Sequence, residues 1–174
     1  MAAVVHCAGG SPLLEGIDRA SLPASCAEIK EAYPDGIHAC SYGCLGGGSC
    51  VAACRKGALS LVHGTAKVDR EKCVGCGLCV RACPQHLITL VPTWEVFEVR
   101  CSNAAAAPVA RKACTTSCVG CGICERVCPA AAMHVKDGHA QIDSEACIAC
   151  GMCAAKCPRG IIHDVDGIIT VEEG

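Results

Sequence analysis

Large side chains are nearly absent from this 174-residue chain, which holds one Phe, one Trp and two Tyr. Trp94, Phe97, Tyr33 and Tyr42 cannot build an aromatic core, and with the 20 cysteines taken out of the 52% hydrophobic share only about 41% remains, below the usual globular range. Such a chain buries little apolar area for its length, so something besides hydrophobic packing must supply much of its folding energy. No apolar stretch approaches the roughly 18–20 residues that span a bilayer, and no secretory signal is read at the start. The formal net charge of −2 creates no field that would favour nucleic acid or an anionic bilayer. A nucleophile with a partnered base and a dinucleotide fingerprint are both missing, and the Gly46-Gly47-Gly48 stretch is not followed by the Lys-Ser/Thr of a phosphate loop. No bond-making site is expected. The seven histidines are scattered without a Cys-x-His pair and are expected as solvated loop or strand residues with no ligand role.

Cysteine is what the chain has in excess. The pattern C-x2-C-x2-C-x3-C-P occurs three times in full, at Cys73/Cys76/Cys79/Cys83, Cys118/Cys121/Cys124/Cys128 and Cys147/Cys150/Cys153/Cys157. This is the ligand run of bacterial-type 4Fe-4S ferredoxins, in which three thiolates hold one cluster and the fourth reaches a neighbouring one. Glycines between the ligands (Gly75, Gly77, Gly120, Gly122, Gly151) let the backbone turn tightly, and the proline after each fourth cysteine stops any helix begun inside the run. Structural zinc sites use paired C-x2-C knuckles with a longer spacer, so a run of this kind carries too many ligands for one. Disulfides fit the composition but not the spacing, since cysteines three apart on one turn point poorly for pairing with each other.

A shift of 74 residues lays Cys54 on Cys128, Cys73 on Cys147, Cys76 on Cys150, Cys79 on Cys153 and Cys83 on Cys157. The connectors Ala58–Asp69 and Ala132–Asp143 also match, each reading as a strand, a Gly turn and a second strand. The expected fold is therefore α+β: two tandem double-cluster ferredoxin modules with short strands and helices around the clusters. The crossed rule assigns Cys118, Cys121, Cys124 and Cys157 to one cluster, Cys147, Cys150, Cys153 and Cys128 to a second, and Cys73, Cys76, Cys79 and Cys54 to a third. The fourth is irregular, because Gly47 stands where Cys121 stands in the other half and Arg55 follows Cys54 in place of proline. Cys40 is read as its replacement ligand, with Cys44, Cys50 and Cys83.

Cys7, Cys26, Cys101 and Cys114 are left over. Four is the ligand count of another cluster, so a fifth 4Fe-4S site is expected from them, although a spare cysteine is ordinarily a small buried hydrophobe. The 74-residue shift also places Cys40 on Cys114, so these two could exchange roles. The expected division is an N-terminal segment over 1–39 that contributes ligands, a first module over 40–91, a linker over 92–113 and a second module over 114–174. A helix is predicted from Cys26 to Tyr33, capped by Ser25 and stopped by Pro34. Thr93–Val99 reads as a strand and Asn103–Pro108 as featureless linker, with Trp94 and Phe97 packing at the junction of the modules.

Val-His-Cys-Ala-Gly-Gly near the start, the variant run from Cys40 to Cys50, the run around Cys73, Leu-Ile-Thr-Leu-Val-Pro and Val-Arg-Cys-Ser-Asn together resemble the ferredoxin-type region of the B subunit of the Rnf complex. The resemblance implies an electron-transfer subunit of a membrane-bound, ion-translocating ferredoxin:NAD+ oxidoreductase. On that reading the chain accepts electrons from reduced ferredoxin, joins other subunits of the complex and has no catalytic site of its own. It would sit on the cytoplasmic side, peripheral to the inner face of the cell membrane; the N-terminal transmembrane helix and small extra iron–sulfur domain usual in that family are not in this sequence, which would then be either the soluble part of a longer subunit or a variant that docks without an anchor. Two alternatives stand beside it: a polyferredoxin or electron-input subunit of another oxidoreductase such as a hydrogenase, and a non-redox cysteine-rich metal-binding module. Cations flanking the ligand runs (Lys72, Arg81, Arg111, Lys112, Arg126, Lys156) are expected to dock an acidic ferredoxin.

Overall fold

The computed structural model describes residues 1–167 and 169. In chain order its elements are β1 (Ala2–Val5), α1 (Cys26–Ala32), α2 (Ser49–Ala53), β2 (Leu59–Val62), β3 (Thr65–Val68), α3 (Leu78–Ala82) and β4 (Ile88–Val91), followed by β5 (Phe97–Val99), α4 (Ala107–Ala113), α5 (Ile123–Val127), β6 (Met133–Lys136), β7 (His139–Ile142), α6 (Met152–Lys156) and β8 (Ile162–Asp164). The 74-residue repeat is visible throughout. Hairpins β2–β3 and β6–β7 turn at His63-Gly64 and Asp137-Gly138, and all four of those residues have positive φ. Two successive left-handed residues make the tight hairpin turn whose twist suits the flanking strands. Helices α2, α3, α5 and α6 each span five residues, start at a left-handed glycine and stop at the fourth cysteine of a run. Three of those cysteines precede proline, which bars a further helical residue.

Residues outside the two repeats close the sheets. β1 pairs antiparallel with β4, from Ala2↔Val91 to Val5↔Ile88, and β5 pairs with β8, from Phe97↔Asp164 to Val99↔Ile162. Without these partners β4 and β8 would each be a single strand with unsatisfied backbone groups. Part of the expected N-terminal segment is thus a strand of the first half, and part of the expected linker is a strand of the second. The strand read over Thr93–Val99 is shorter because Pro92–Glu95 forms a turn, in which the Glu95 N–H donates to the Pro92 carbonyl at 3.1 Å. That turn throws Trp94 outward, 70% exposed, while Phe97 is buried. Trp94 is therefore no packing residue. Asn103–Ala106 is irregular, as read, and α4 begins at Ala107 with Pro108 in its first turn, a position that suits proline.

The expected helix forms as α1, ending one residue early, with a capping box between Ser25 and Glu28. Ile29, Ile37 and Leu45 bury its inner face. The two main cores are small. Ala3, Val5, Leu59, Ala66 and Ile88 form one; Phe97, Val99, Met133, Ala140, Ile161 and Ile162 form the other.

The halves meet through β1, β4 and β5. His6 Nδ1–H donates to the Val99 carbonyl and its Nε2 accepts from the Thr89 hydroxyl, both at 2.7 Å. Burial lowers the His6 pKa and so favours this neutral, one-donor ring. His38 likewise lies within 3.1 Å of the Ser11 and Cys44 carbonyls. These two histidines are tied to backbone, against the expectation of solvated loops. Glu98 adds ion pairs to Arg70 at 3.1 Å and Arg100 at 3.4 Å.

Candidate metal centres

Each ligand loop is shaped by left-handed residues. Gly75 and Gly120 occupy that region between the first two cysteines of their runs, and at Gly75 a Cβ would lie 2.4 Å from the Met1 carbonyl oxygen. The equivalent residue of the last run is Ala149, with φ 56. An L-residue there carries a strain of about 1–2 kcal/mol, borne where the side chain is exposed. A second recurring position lies three residues after each fourth cysteine: Gly57, His86, Ala131 and Gly160 all have positive φ. This bend aims the next N–H back at sulfur. Ala58 donates to Cys54 Sγ at 3.3 Å, Leu87 to Cys83 at 3.4 Å and Ala132 to Cys128 at 3.2 Å. Although slight burial works against the charged form of Cys54, the backbone N–H groups of Ala58, Lys56, Leu59 and Gly57 bring its pKa below the usual thiol value.

Three groups of four thiols line three cavities. Cys54, Cys73, Cys76 and Cys79 surround one, and Cys118, Cys121, Cys124 and Cys157 a second. A fourth group is built like the first: Cys128 takes the position of Cys54, and an ionised Cys153 would be repelled by Cys147 and by Cys124 of the adjoining group. Burial, followed by repulsion from neighbouring thiols, pushes Cys124 and Cys153 up to about 11 and Cys50 up to about 12. Buried thiols crowded in this way ionise only against positive charge, which metal ions supply.

The third cavity groups its thiols differently from the spacing rule. It is lined by Cys26, Cys44, Cys50 and Cys83, and the thiols facing Cys50 are Cys44, Cys26 and Cys83. Cys26, not Cys40, lines this cavity with Cys44, Cys50 and Cys83. The reason lies at Gly47, where a Cβ would stand 2.7 Å from the Cys26 nitrogen and 2.8 Å from Ile29 Cδ1. The first turn of α1 fills the space that a side chain at position 47 would occupy, and the Cys26 N–H is held by Ser49 Oγ at 2.9 Å. The thiol that the run lacks at position 47 is replaced around this cavity by one from a helix docked on the gap.

Cys40 joins the remaining cysteines at the junction of the halves. Cys7 and Cys101 form a β-bridge, Cys40 and Cys44 oppose the charge on Cys7, and Cys114 opposes it on both Cys40 and Cys101. Burial pushes the Cys7 thiol up to about 12. Donors surround this group: Asn103 N–H and Cys118 N–H reach Cys101 Sγ at 3.4 and 3.2 Å, Cys44 N–H reaches Cys7 Sγ at 3.4 Å, and Asn103 Nδ2 lies 3.6 Å from Cys40 Sγ. Arg159 clamps the loop carrying Cys114 by donating to the Cys114 and Ser117 carbonyls at 2.7 and 3.2 Å.

Among the described residues, no three His, Cys, Asp or Glu side chains stand close enough to hold a single metal ion. The thiols instead sit around cavities, a spacing that fits a polynuclear group held at its corners. The donor set, all cysteine with backbone N–H groups turned on sulfur, fits a 4Fe-4S cluster. Family comparisons agree. The profile of a 4Fe-4S binding domain matches residues 66–89, and that of a 4Fe-4S dicluster domain matches residues 117–162. The chain carries tandem ferredoxin-type 4Fe-4S domains. A curated relative, the B subunit of the Na(+)-translocating ferredoxin:NAD(+) oxidoreductase complex of Acetobacterium woodii, is 43% identical over 109 residues, 62% of this chain and 33% of that protein. The chain thus spans about a third of the length of that relative. Among solved structures, a formate dehydrogenase, heterodisulfide reductase and formylmethanofuran dehydrogenase complex from Methanospirillum hungatei matches at 22% identity and a TM-score of 0.25, covering 67% of this chain and 50% of its own.

Proposed function

We propose that the chain is an electron-transfer subunit that takes electrons from reduced ferredoxin and passes them into a membrane-bound, ion-translocating ferredoxin:NAD+ oxidoreductase complex. It would hold five 4Fe-4S clusters. The ligand sets are Cys54/Cys73/Cys76/Cys79, Cys26/Cys44/Cys50/Cys83, Cys7/Cys40/Cys101/Cys114, Cys118/Cys121/Cys124/Cys157 and Cys128/Cys147/Cys150/Cys153. Clusters bound there supply one-electron redox chemistry, and the chain's own residues hold them, exclude water and set their potentials through N–H groups on sulfur.

The observation that carries this reading is the contiguity of the five sets. Cys50 and Cys79 share one apolar core, Cys44 donates its N–H to Cys7, Cys118 donates its N–H to Cys101, and Cys124 faces Cys153. Each of the two outermost sets has an exposed thiol, Cys76 and Cys150, and so does the set of Cys118, at Cys121. The series is thus open to solvent at each end and also at Cys121. Among the described residues no helix is long and apolar enough to cross a membrane. The place proposed for the chain is the inner face of the membrane, against other subunits of the complex.

Lys72, Arg81, Arg111, Lys112, Arg126 and Lys156 are all exposed, a surface suited to steering an acidic donor. Electron uptake from reduced ferredoxin, followed anaerobically by stopped flow, is expected to slow as ionic strength rises to 0.15 M, where the Debye length falls to about 8 Å. A rate indifferent to salt would remove ferredoxin steering from the account.

A further inference from the structure

We infer that Asn103 sets the redox potential of the four-thiol site at the junction of the two halves. The inference rests on the reading of Cys7, Cys40, Cys101 and Cys114 as a cluster site.

Asn103 is 2% exposed, and a buried amide needs partners for both its oxygen and its nitrogen. Its Oδ1 accepts the Ala105 N–H at 2.8 Å, which closes a local turn and settles which end of the amide points where. Nδ2 is thereby turned toward Cys40 Sγ at 3.6 Å. The backbone N–H of the same residue donates to Cys101 Sγ at 3.4 Å. One buried residue thus presents two donors to two thiols of a single site, thiols that come from opposite halves of the chain.

Hydrogen bonds to ligand sulfur favour the more negative, reduced state of a cluster and so raise its potential, the more so where water is excluded. The junction site lies between the two halves, with Cys44 and Cys118 of the flanking sets donating N–H groups into it. A donor that tunes this site therefore governs how readily electrons cross from one half to the other. Neither half alone could hold it: Cys7 and Cys40 precede the first regular run, whereas Cys101 and Cys114 precede the second.

The test is a redox titration of anaerobic full-length protein, read by EPR, with iron counted in parallel. Asn103→Leu removes the side-chain donor at similar volume. Asn103→Asp keeps an oxygen for the Ala105 N–H but presents a second oxygen, not an N–H, to Cys40. Both variants are expected to keep the wild-type iron content and to move one titrating signal to lower potential, leaving the others in place. Unshifted signals with iron intact would overturn the inference. So would the loss of about four irons in both variants, which would make Asn103 a support of the loop and no more. A wild-type count near sixteen irons would overturn the inference together with the site beneath it.

Discussion

Cys26→Ser combined with Cys44→Ser should remove about four irons per chain, no more than either substitution alone, because both thiols belong to one site. Cys26→Ser combined with Cys40→Ser should remove about eight, because those thiols belong to two. The same logic applies to Cys40 and Cys101, which are expected to remove about four together. The geometry behind these pairings is specific. The Cys26 backbone occupies the space where a side chain at position 47 would stand, and Cys40 lies beside Asn103 and Cys114. Iron assay of the single and double variants checks the allocation. A loss of about four irons from Cys40→Ser with Cys44→Ser, and about eight from Cys26→Ser with Cys44→Ser, would return Cys40 to the irregular site.

Removal of iron should unfold the chain. Among the described residues, four of the six α-helices span five residues, well below the roughly 12–15 needed for marginal helicity alone, and each sheet has two strands. Among the described residues, five that are not glycine (His63, His86, Ala131, Asp137 and Ala149) hold left-handed backbone at about 1–2 kcal/mol each. The buried cores consist mainly of Ala, Val, Ile and cysteine, and the cysteine thiols would repel one another if ionised without metal. Against these terms the bound clusters supply the folding free energy, as in other small metal-dependent domains. Far-ultraviolet circular dichroism after anaerobic chelation is expected to lose most of its helix and strand signal. A stripped protein with its native spectrum would show that the polypeptide folds without metal.

Much of this architecture could be read from local pattern. The three full runs, the 74-residue repeat, the Gly turns at Gly64 and Gly138 and the capped helix at Cys26 depend on residues close in sequence, so spacing alone exposes them. What escaped depends on distant partners. Ala2–Val5 becomes a strand because Ile88–Val91 lies alongside it, and nothing within Met1–Cys7 announces that pairing. The choice between Cys26 and Cys40 was hidden for the same reason, although a signal existed: a run that loses a ligand to glycine leaves a gap that only backbone or a small residue can enter, and Cys26 opens a capped helix. Trp94 looked like a packing residue by size alone, whereas the turn begun by Pro92 turns it to solvent. His6 and His38 could not be placed, because their partners are backbone carbonyls elsewhere in the chain.

The claim on which the account depends is that all 20 cysteines are ligands in five complete sets. Iron and acid-labile sulfide counted on the anaerobically purified full chain test it most directly. The account predicts about twenty of each per chain. A reproducible value near sixteen would contradict it, leaving Cys7, Cys40, Cys101 and Cys114 as buried thiols at the junction of two double-cluster domains.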